Sequence, residues 1–243
     1  MEQARPLTFD HDDRRQIYEC VERHGVIERE RIADVLRLDD RALRHHLAIL
    51  KRDGRVAIED ASVRVAIDPG EVESHESADV QYRIRPARQE DLGGIIGVIR
   101  EVVAAGTYVE AESVAQAIDH EDVLLRFNAH ESRMFFVATV NDEVVGWVHI
   151  EGSALDKLSH TAELTVGIVE AYRNRGIGSH LISRGLEWAA SHGFERIYQS
   201  IPATNERAIG FLEEHGWTVE AVREEHYRID GADVDEVMMA ITL

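Results

Sequence analysis

An apolar strand, a turn containing two glycines and the start of a helix follow one another in the second half of the chain. Residues 164–169 read Leu-Thr-Val-Gly-Ile-Val, residues 173–178 read Arg-Asn-Arg-Gly-Ile-Gly, and a helical pattern covers about 178–192. The first amide groups of a helix lack partners within the helix, and the helix dipole favours negative charge there. The glycines allow close approach of a phosphate, and the two arginines add charge-assisted hydrogen bonds. The sequence therefore predicts an anion site.

The spacing of this turn separates it from two other phosphate-binding motifs. A nucleotide P-loop ends in Gly-Lys-Ser or Gly-Lys-Thr, which is absent here, and the dinucleotide fingerprint needs a third glycine. Alone, the pattern R-x-x-G-x-G is also compatible with a plain tight turn. A second block at 205–217, Asn-Glu-Arg-Ala-Ile-Gly-Phe-Leu-Glu-Glu-His-Gly-Trp, favours a binding site.

These two blocks together resemble the GNAT superfamily of acyl-CoA-dependent N-acyltransferases. Residues 173–178 match its pyrophosphate motif Q/R-x-x-G-x-G/A, and Asn205, Ala208 and Gly216-Trp217 match its N-x-x-A…G-F block, with tryptophan in place of the phenylalanine. The stretch 228–239 resembles its closing hairpin. The resemblance covers about 82–243. It implies an α/β (α+β) fold with a mixed, mostly antiparallel sheet, flanked by helices and splayed between its fourth and fifth strands.

The resemblance implies acetyl-CoA as co-substrate and an amine of unknown identity as acceptor. The pantetheine arm is expected in the splay along Val166, Ile168 and Val169, and Asn205 is expected near the thiol end of CoA. The residues expected at the pyrophosphate are Arg173, Asn174, Arg175, Gly176, Ile177 and Gly178. The 13 histidines are scattered apart from the pair at 45–46 and show no H-E-x-x-H pattern, so no metal is predicted.

Direct acetyl transfer needs a general base, because the amine must lose a proton before it attacks. The family often places a carboxylate or a histidine on the strand before the phosphate motif. Glu163 is the first candidate there and His160 is the alternative, while a solvated strand glutamate is the non-catalytic interpretation. In this superfamily a chain of waters can also replace a single base. His149 is expected to shape the acceptor pocket.

The acid that would protonate the departing thiolate is less defined. Many family members carry a tyrosine at the position of Leu212, which has no proton to donate. Tyr227 is the candidate substitute, with His226 and His215 as alternatives, and unassisted departure of the thiolate stays open. This difference also leaves open a non-catalytic sensor of acyl-CoA.

Residues 10–68 show the pattern of a small separate domain. Helical patterns cover 12–24 and 28–37, a third ends near Gly54, and apolar residues alternate over 63–67. Three short helices and a hairpin resemble a winged helix-turn-helix, in which the third helix enters the major groove of DNA. The candidate contacts are Arg41, Arg44, His45, Lys51 and Arg52.

The charge distribution supports two domains and leaves the role of the first one open. Residues 1–70 hold 13 basic and 15 acidic residues, whereas residues 71–243 hold 14 and 31. A nearly neutral domain lacks the basic footprint of a typical DNA binder, so a protein partner or an autoregulatory role is the alternative. The polar segment 69–80 is expected to be a solvated linker before a second domain at 81–243, and a homodimer is a candidate assembly.

The whole chain is acidic and poor in lysine. Its formal net charge is −19, and only Lys51 and Lys157 are lysines. This composition favours a salty cytoplasm, because at about 1 M salt the Debye length is only about 3 Å and self-repulsion is screened. No apolar run approaches the roughly 20 residues of a membrane span, and no secretory signal is expected at the N-terminus.

Overall fold

The computed structural model of the chain describes residues 9–66, 72–77, 79–104, 108–127, 132–153 and 155–243. Within these ranges the helices are α1 Asp12–His24, α2 Arg29–Leu36, α3 Asp40–Arg52, α4 Leu92–Val103, α5 Val109–Glu121, α6 Ile177–Ser191 and α7 Glu206–Glu214. The strands are β1 Val26–Glu28, β2 Val56–Glu59, β3 Ser62–Val65, β4 Glu73–Ser77, β5 Val80–Pro86, β6 Arg126–Phe127, β7 Ser132–Val140, β8 Glu143–Gly152, β9 Thr161–Ile168, β10 Arg196–Pro202, β11 Thr218–Ile229 and β12 Ala232–Thr242.

The N-terminal domain packs three helices against a small antiparallel sheet. Asp39 caps α3 by accepting hydrogen bonds from two backbone N–H groups. The sheet has the order β1-β3-β2, and β1 was not predicted because three residues are too few to show an alternation. The predicted strand extends to Ile67, which lies outside the described residues. The apolar core includes Ile17, Val21, Ile32, Leu43, Leu47 and Val63.

The second domain is built on one large sheet. The strand order is β11-β12-β10-β9-β8-β7-β5-β4, and β6 pairs with β7. Every neighbouring pair is antiparallel except β9 and β10, so the expected mixed, mostly antiparallel sheet is confirmed. The hairpins β7–β8 and β11–β12 turn on two residues with positive φ, Asn141-Asp142 and Asp230-Gly231, which is the turn type that matches the strand twist.

The parallel pair β9–β10 is joined over only part of its length. Residues 161–163 pair with residues 196–198, after which β9 continues to Ile168 and β10 to Pro202 without a shared ladder. The strands therefore diverge where the resemblance placed a splay. Helices α4, α5 and α6 flank the sheet and cover the strands next to this opening.

The segment expected as a linker is partly a strand. Residues Glu73–Ser77 form β4, an edge strand that pairs with β5. The polar composition of β4 suits a strand at the edge of a sheet. His75 fixes one face of the strand, because its ring stacks on those of His180 and Tyr82, with ring centroids 4.0 and 5.3 Å apart, respectively. The expectation of a solvated connector over 69–80 is corrected for these five residues. Among the described residues, no helix is both long and apolar enough to cross a bilayer.

Candidate active site

A cleft of about 440 Å³ opens where β9 and β10 diverge. Its walls are formed by the free half of β9, by β10, by the turn before α6, by α7 and by the first turn of α5. The predicted cofactor residues that line it are Val166, Ile168, Arg173, Asn174, Gly176, Gly178 and Asn205. The strand, the turn and the second block thus meet in one site.

The glycine turn presents a helix start to the cleft. Gly176 precedes α6 with φ +80°, a conformation that favours glycine, and no side chain among the described residues caps the helix. An added Cβ on Gly178 would lie 3.1 Å from Ile168 Cδ1 and 3.1 Å from Phe211 Cζ, so a larger residue would fill the space. Uncapped amide groups and this narrow cradle fit a phosphate ligand.

Two side chains fix the shape of the turn. Arg173 donates from Nε to the carbonyl oxygen of Ile168 at 2.9 Å, which ties the turn to β9. Arg207 donates from Nη2 to Asn174 Oδ1 at 2.8 Å, which ties the turn to α7. Asn174 has φ +61°, a conformation that asparagine tolerates better than most residues.

Three predicted cofactor residues do not line the cleft. Val169 and Ile177 are buried in the apolar core. Arg175 forms an ion pair with Asp79, and its guanidinium lies 5.9 Å from the ring centroid of Tyr172. At these three positions the side chains support the turn from behind, and the backbone groups are left for a ligand; their place in the cofactor site stays a prediction.

The second block closes the other wall. Asn205 is 6% exposed and accepts a hydrogen bond from the backbone N–H of Ala208 at 3.2 Å, so it orders the start of α7. Leu212 is buried and lines the cleft at the position where many relatives carry a tyrosine. The structure therefore offers no proton donor at that position.

Glu163 lies at the fork of the splay, at the last position where β9 pairs with β10. Its cross-strand neighbours are Glu151 on β8 and Tyr198 on β10. It lies two residues before the cleft residue Thr165, on the same face of the sheet. The side chain keeps solvent access at the surface. The surrounding protein nevertheless desolvates its carboxylate and raises its pKa, and the charges of Glu110 and Glu236 raise it further.

Tyr227 contacts Glu110, one of the two residues whose charges raise the pKa of Glu163, but Tyr227 is a poor acid. It is 8% exposed, and its hydroxyl donates to Glu110 Oε1 at 3.1 Å. Burial raises its pKa well above the usual range, and Glu110 and Glu236 add to the rise. The proton is thus held more tightly than in a free tyrosine, and the geometry assigns Tyr227 to positioning Glu110.

His160 is not brought to the cleft. It lies in the turn before β9 with an exposed side chain, and its carbonyl accepts the backbone N–H groups of Glu195 and Arg196 at the closed end of the strand pair. His149 is 2% exposed and packs on Phe135, with ring centroids 4.4 Å apart. Burial, aided by the charge of Arg133, lowers the pKa of His149 to about 3, so it is an unsuitable base at neutral pH.

Two carboxylates that act on Glu163, those of Glu110 and Glu236, were not predicted from the sequence. Glu110 lines the cleft from the first turn of α5. Glu236 is 3% exposed on β12 and accepts from Arg223 Nη1 at 2.9 Å, with His226 Nε2 at 3.5 Å. Glu236 directly precedes the apolar run Val237-Met238-Met239-Ala240 but follows two aspartates of the closing hairpin, so the sequence marked neither Glu236 nor Glu110.

The forked strand pair beside the glycine turn gives the chain a cleft that suits an elongated ligand with phosphate groups at one end. Residues 97–217 match the model of the acetyltransferase (GNAT) family. The protein is therefore a GNAT-family N-acetyltransferase that uses acetyl-CoA as co-substrate.

Individual relatives agree with this family. The YwnH protein of Bacillus subtilis, which carries the name of a phosphinothricin acetyltransferase, is 28% identical over 137 residues, covering 55% of this chain and 82% of its own. Mycothiol acetyltransferase of Corynebacterium efficiens is 34% identical over 80 residues, which is 32% of this chain and only 25% of that protein.

A solved structure shares the fold. The yncA protein of Salmonella typhimurium, named as an acetyltransferase and solved with its cofactor acetyl-CoA, superposes with a TM-score of 0.55 at 21% identity. The match covers 66% of this chain and 92% of that chain.

The glycine turn yields a direct test. Gly176→Val should weaken acetyl-CoA binding at least tenfold in calorimetric titration, because a β-branched residue at φ +80° distorts the amide groups at the start of α6. Gly231→Val is the matched control, since Gly231 has φ +81° and an added Cβ would meet nothing within 4 Å. Unchanged affinity in Gly176→Val, or an equal loss in both folded variants, would contradict the assignment.

Proposed function

We propose that the protein transfers the acetyl group of acetyl-CoA to a small cationic amine, with Glu163 as the general base. The observation that carries this proposal is the cluster of three carboxylates beside the cleft: Glu110 in its wall, Glu163 at the fork and Glu236 in the adjoining hairpin. The acceptor in acetyl transfer is an amine, and these carboxylates attract an amine in its protonated, cationic form.

The position and the environment of Glu163 support the role of base. The pKa of an ordinary carboxyl group lies far below that of an ammonium group, so a carboxylate is a weak base toward it. A raised carboxyl pKa narrows this difference. The fork is where the carbonyl of a thioester threaded between β9 and β10 would meet an acceptor. Because Glu163 keeps solvent access, the proton can pass directly or through one water.

Acetyl-CoA is expected to follow the cleft from the turn to the fork. Its phosphates would meet Arg173, Asn174 and the backbone amide groups of 176–178. Its pantetheine arm would bond the free backbone edge of β9 at Val166 and Ile168, and Asn205 would border the arm from α7. The apolar Leu212 implies that the thiolate leaves without a proton from that position.

The charge balance of the cluster supports a cationic acceptor. Arg223 is the cation paired with Glu236, so the described groups around the fork retain an excess of negative charge. Glu236 is 3% exposed, and its charge is therefore not part of the general surface acidity. A second ammonium group on the acceptor would pair with Glu110, whereas an anionic acceptor such as a phosphinate amino acid would be repelled.

Glu163→Gln should lower kcat by about 100-fold or more, because a general base contributes roughly 10²–10⁴. The wild-type rate should rise with pH through a pKa above that of a free glutamate, since the base must be ionised, and the variant should lose this acidic limb. Initial rates of thiol release across pH, in molar salt, measure both. Acetyl-CoA affinity should be retained, and Glu151→Gln, on the neighbouring strand, is the matched control; a full rate in Glu163→Gln across pH would exclude the role.

Glu110→Gln should raise the KM for a diamine about tenfold while the KM for acetyl-CoA stays the same. The reason is the loss of one of the carboxylates that face the acceptor, at a position outside the expected path of CoA. Rates with a diamine, a neutral amine and an anionic amino acid at matched concentrations test the acceptor class. Preference of the wild type for the anionic amino acid would refute a cationic acceptor.

A second function is proposed for the N-terminal domain, which we infer to bind DNA as a winged helix. The supporting observation is the order of helices and strands, together with exposed side chains along α3: Arg41, Arg44, His45, Lys51 and Arg52. Arg44 and Arg52 also pair with neighbouring aspartates, which reduces the net charge they offer. With DNA binding in this domain and acetyl-CoA binding in the other, the chain would be a regulator that senses acetyl-CoA.

Binding to mixed genomic fragments should be detectable at low salt and should weaken steeply as salt rises, because phosphate contacts release counterions. Arg41→Ala should weaken it, whereas Arg100→Ala on α4 of the other domain should not. Fluorescence anisotropy over a salt series measures this. Absence of binding at low salt would leave a protein partner as the role of the domain.

A further inference from the structure

Two histidines and one aspartate that are far apart in sequence meet in the N-terminal domain. His11 directly precedes α1, Asp13 lies in the first turn of α1, and His46 comes from the middle of α3. Their potential ligand atoms all lie within 4.8 Å of one another. Neither acetyl transfer nor the proposed DNA contacts use these side chains.

The separations are those of a metal ligand set. Asp13 Oδ2 lies 3.4 Å from His46 Nε2 and 3.7 Å from His11 Nδ1. In a tetrahedral zinc site with ligand bonds of about 2.0–2.1 Å, two ligand atoms lie about 3.4 Å apart. An ion could therefore be held with small movements of the three side chains.

His46 is the anchor of the cluster. It is 7% exposed, and within the described part of the chain its Nδ1 has no hydrogen-bond partner. Its ring also packs against that of His11, with ring centroids 4.8 Å apart, so the two imidazoles lie side by side at the start of α1. Its other ring nitrogen, Nε2, faces the carboxylate of Asp13, so Nε2 is the atom available to a metal ion.

Two features oppose a cation, and both are compensated locally. The positive end of the α1 dipole is offset by Asp12 and Asp13, the two acids of its first turn. The charge of Arg14 is shared with Asp10, at 3.6 Å. His11 Nδ1 now accepts the backbone N–H of Asp13 at 3.1 Å, so binding through that nitrogen would replace one helix-capping bond.

We propose that His11, Asp13 and His46 bind a divalent transition-metal ion, zinc in particular, with the fourth position taken by water. Two imidazoles and one carboxylate are a ligand set that zinc accepts. The ion would clamp the start of α1 to α3, the helix whose outer face carries the candidate DNA contacts. This revises the expectation of no metal, which rested on sequence spacing alone, and it does not depend on the proposed acetyl transfer.

Cobalt titration of the full chain after treatment with a chelator tests the site. We expect the visible absorption of tetrahedral cobalt, saturation at one ion per chain and its loss on addition of zinc. Asp13→Asn and His46→Gln should each weaken affinity at least tenfold. Asp12→Asn is the matched control, because Asp12 pairs with Arg15 at 3.3 Å and should leave affinity unchanged.

Because His46 is buried, the half-exposed Asp13 provides the variant least prone to unfolding. Its circular dichroism and its acetyl-transfer rate should equal those of the wild type, since the other domain carries that site. Absence of saturable cobalt binding would overturn the proposal. Binding that is equally tight in the wild type and in folded Asp13→Asn would also overturn it, because other histidines of the 13 would then hold the ion.

Discussion

The short ladder between β9 and β10 is the constraint on which the active site depends. The two strands share only the pairs at 161–163 and 196–198, yet each is held firmly on its outer side. β8 pairs with 162–168 of β9, and β12 pairs along the whole of β10. Because both strands are anchored away from each other, the gap between them stays open and exposes backbone donors and acceptors in a fixed direction.

The cleft that results has a different electrostatic character at each end. At the turn, the uncapped start of α6 and Arg173 favour anions. Toward the fork, Glu163 favours cations, and the charges of Glu110 and Glu236 act on it. This division explains how a strongly acidic domain can use a polyanionic co-substrate: the groups that meet the phosphates are close and fixed, whereas most carboxylates lie elsewhere and are screened by salt. In the proposed function, acetyl-CoA occupies the end at the turn and the amine the end at the fork.

The local chemistry of the site could be predicted from the sequence, and its assembly could not. Gly176 was predictable because a turn and a helix start lie within a few adjacent residues. The side chain of Arg175 pairs with Asp79, which lies nearly a hundred positions earlier in a segment that the sequence predicts to be a linker, so this partner could not be predicted. Glu110 and Glu236 come from elements far apart in the chain, so only the folded sheet brings their charges near Glu163. The sequence already ranks Glu163 before His160, and the end of the β9–β10 ladder, which no local pattern encodes, supports that order.

The claim that acetyl-CoA occupies the gap between β9 and β10 is tested most directly by hydrogen–deuterium exchange of the full chain with and without acetyl-CoA. We predict slower exchange at residues 164–168 and 176–179, where the free strand edge and the start of α6 meet the ligand. Exchange in the edge strand Glu73–Ser77 should not change. Protection confined to other elements, or unchanged exchange at both predicted segments in the presence of saturating acetyl-CoA, would contradict the account.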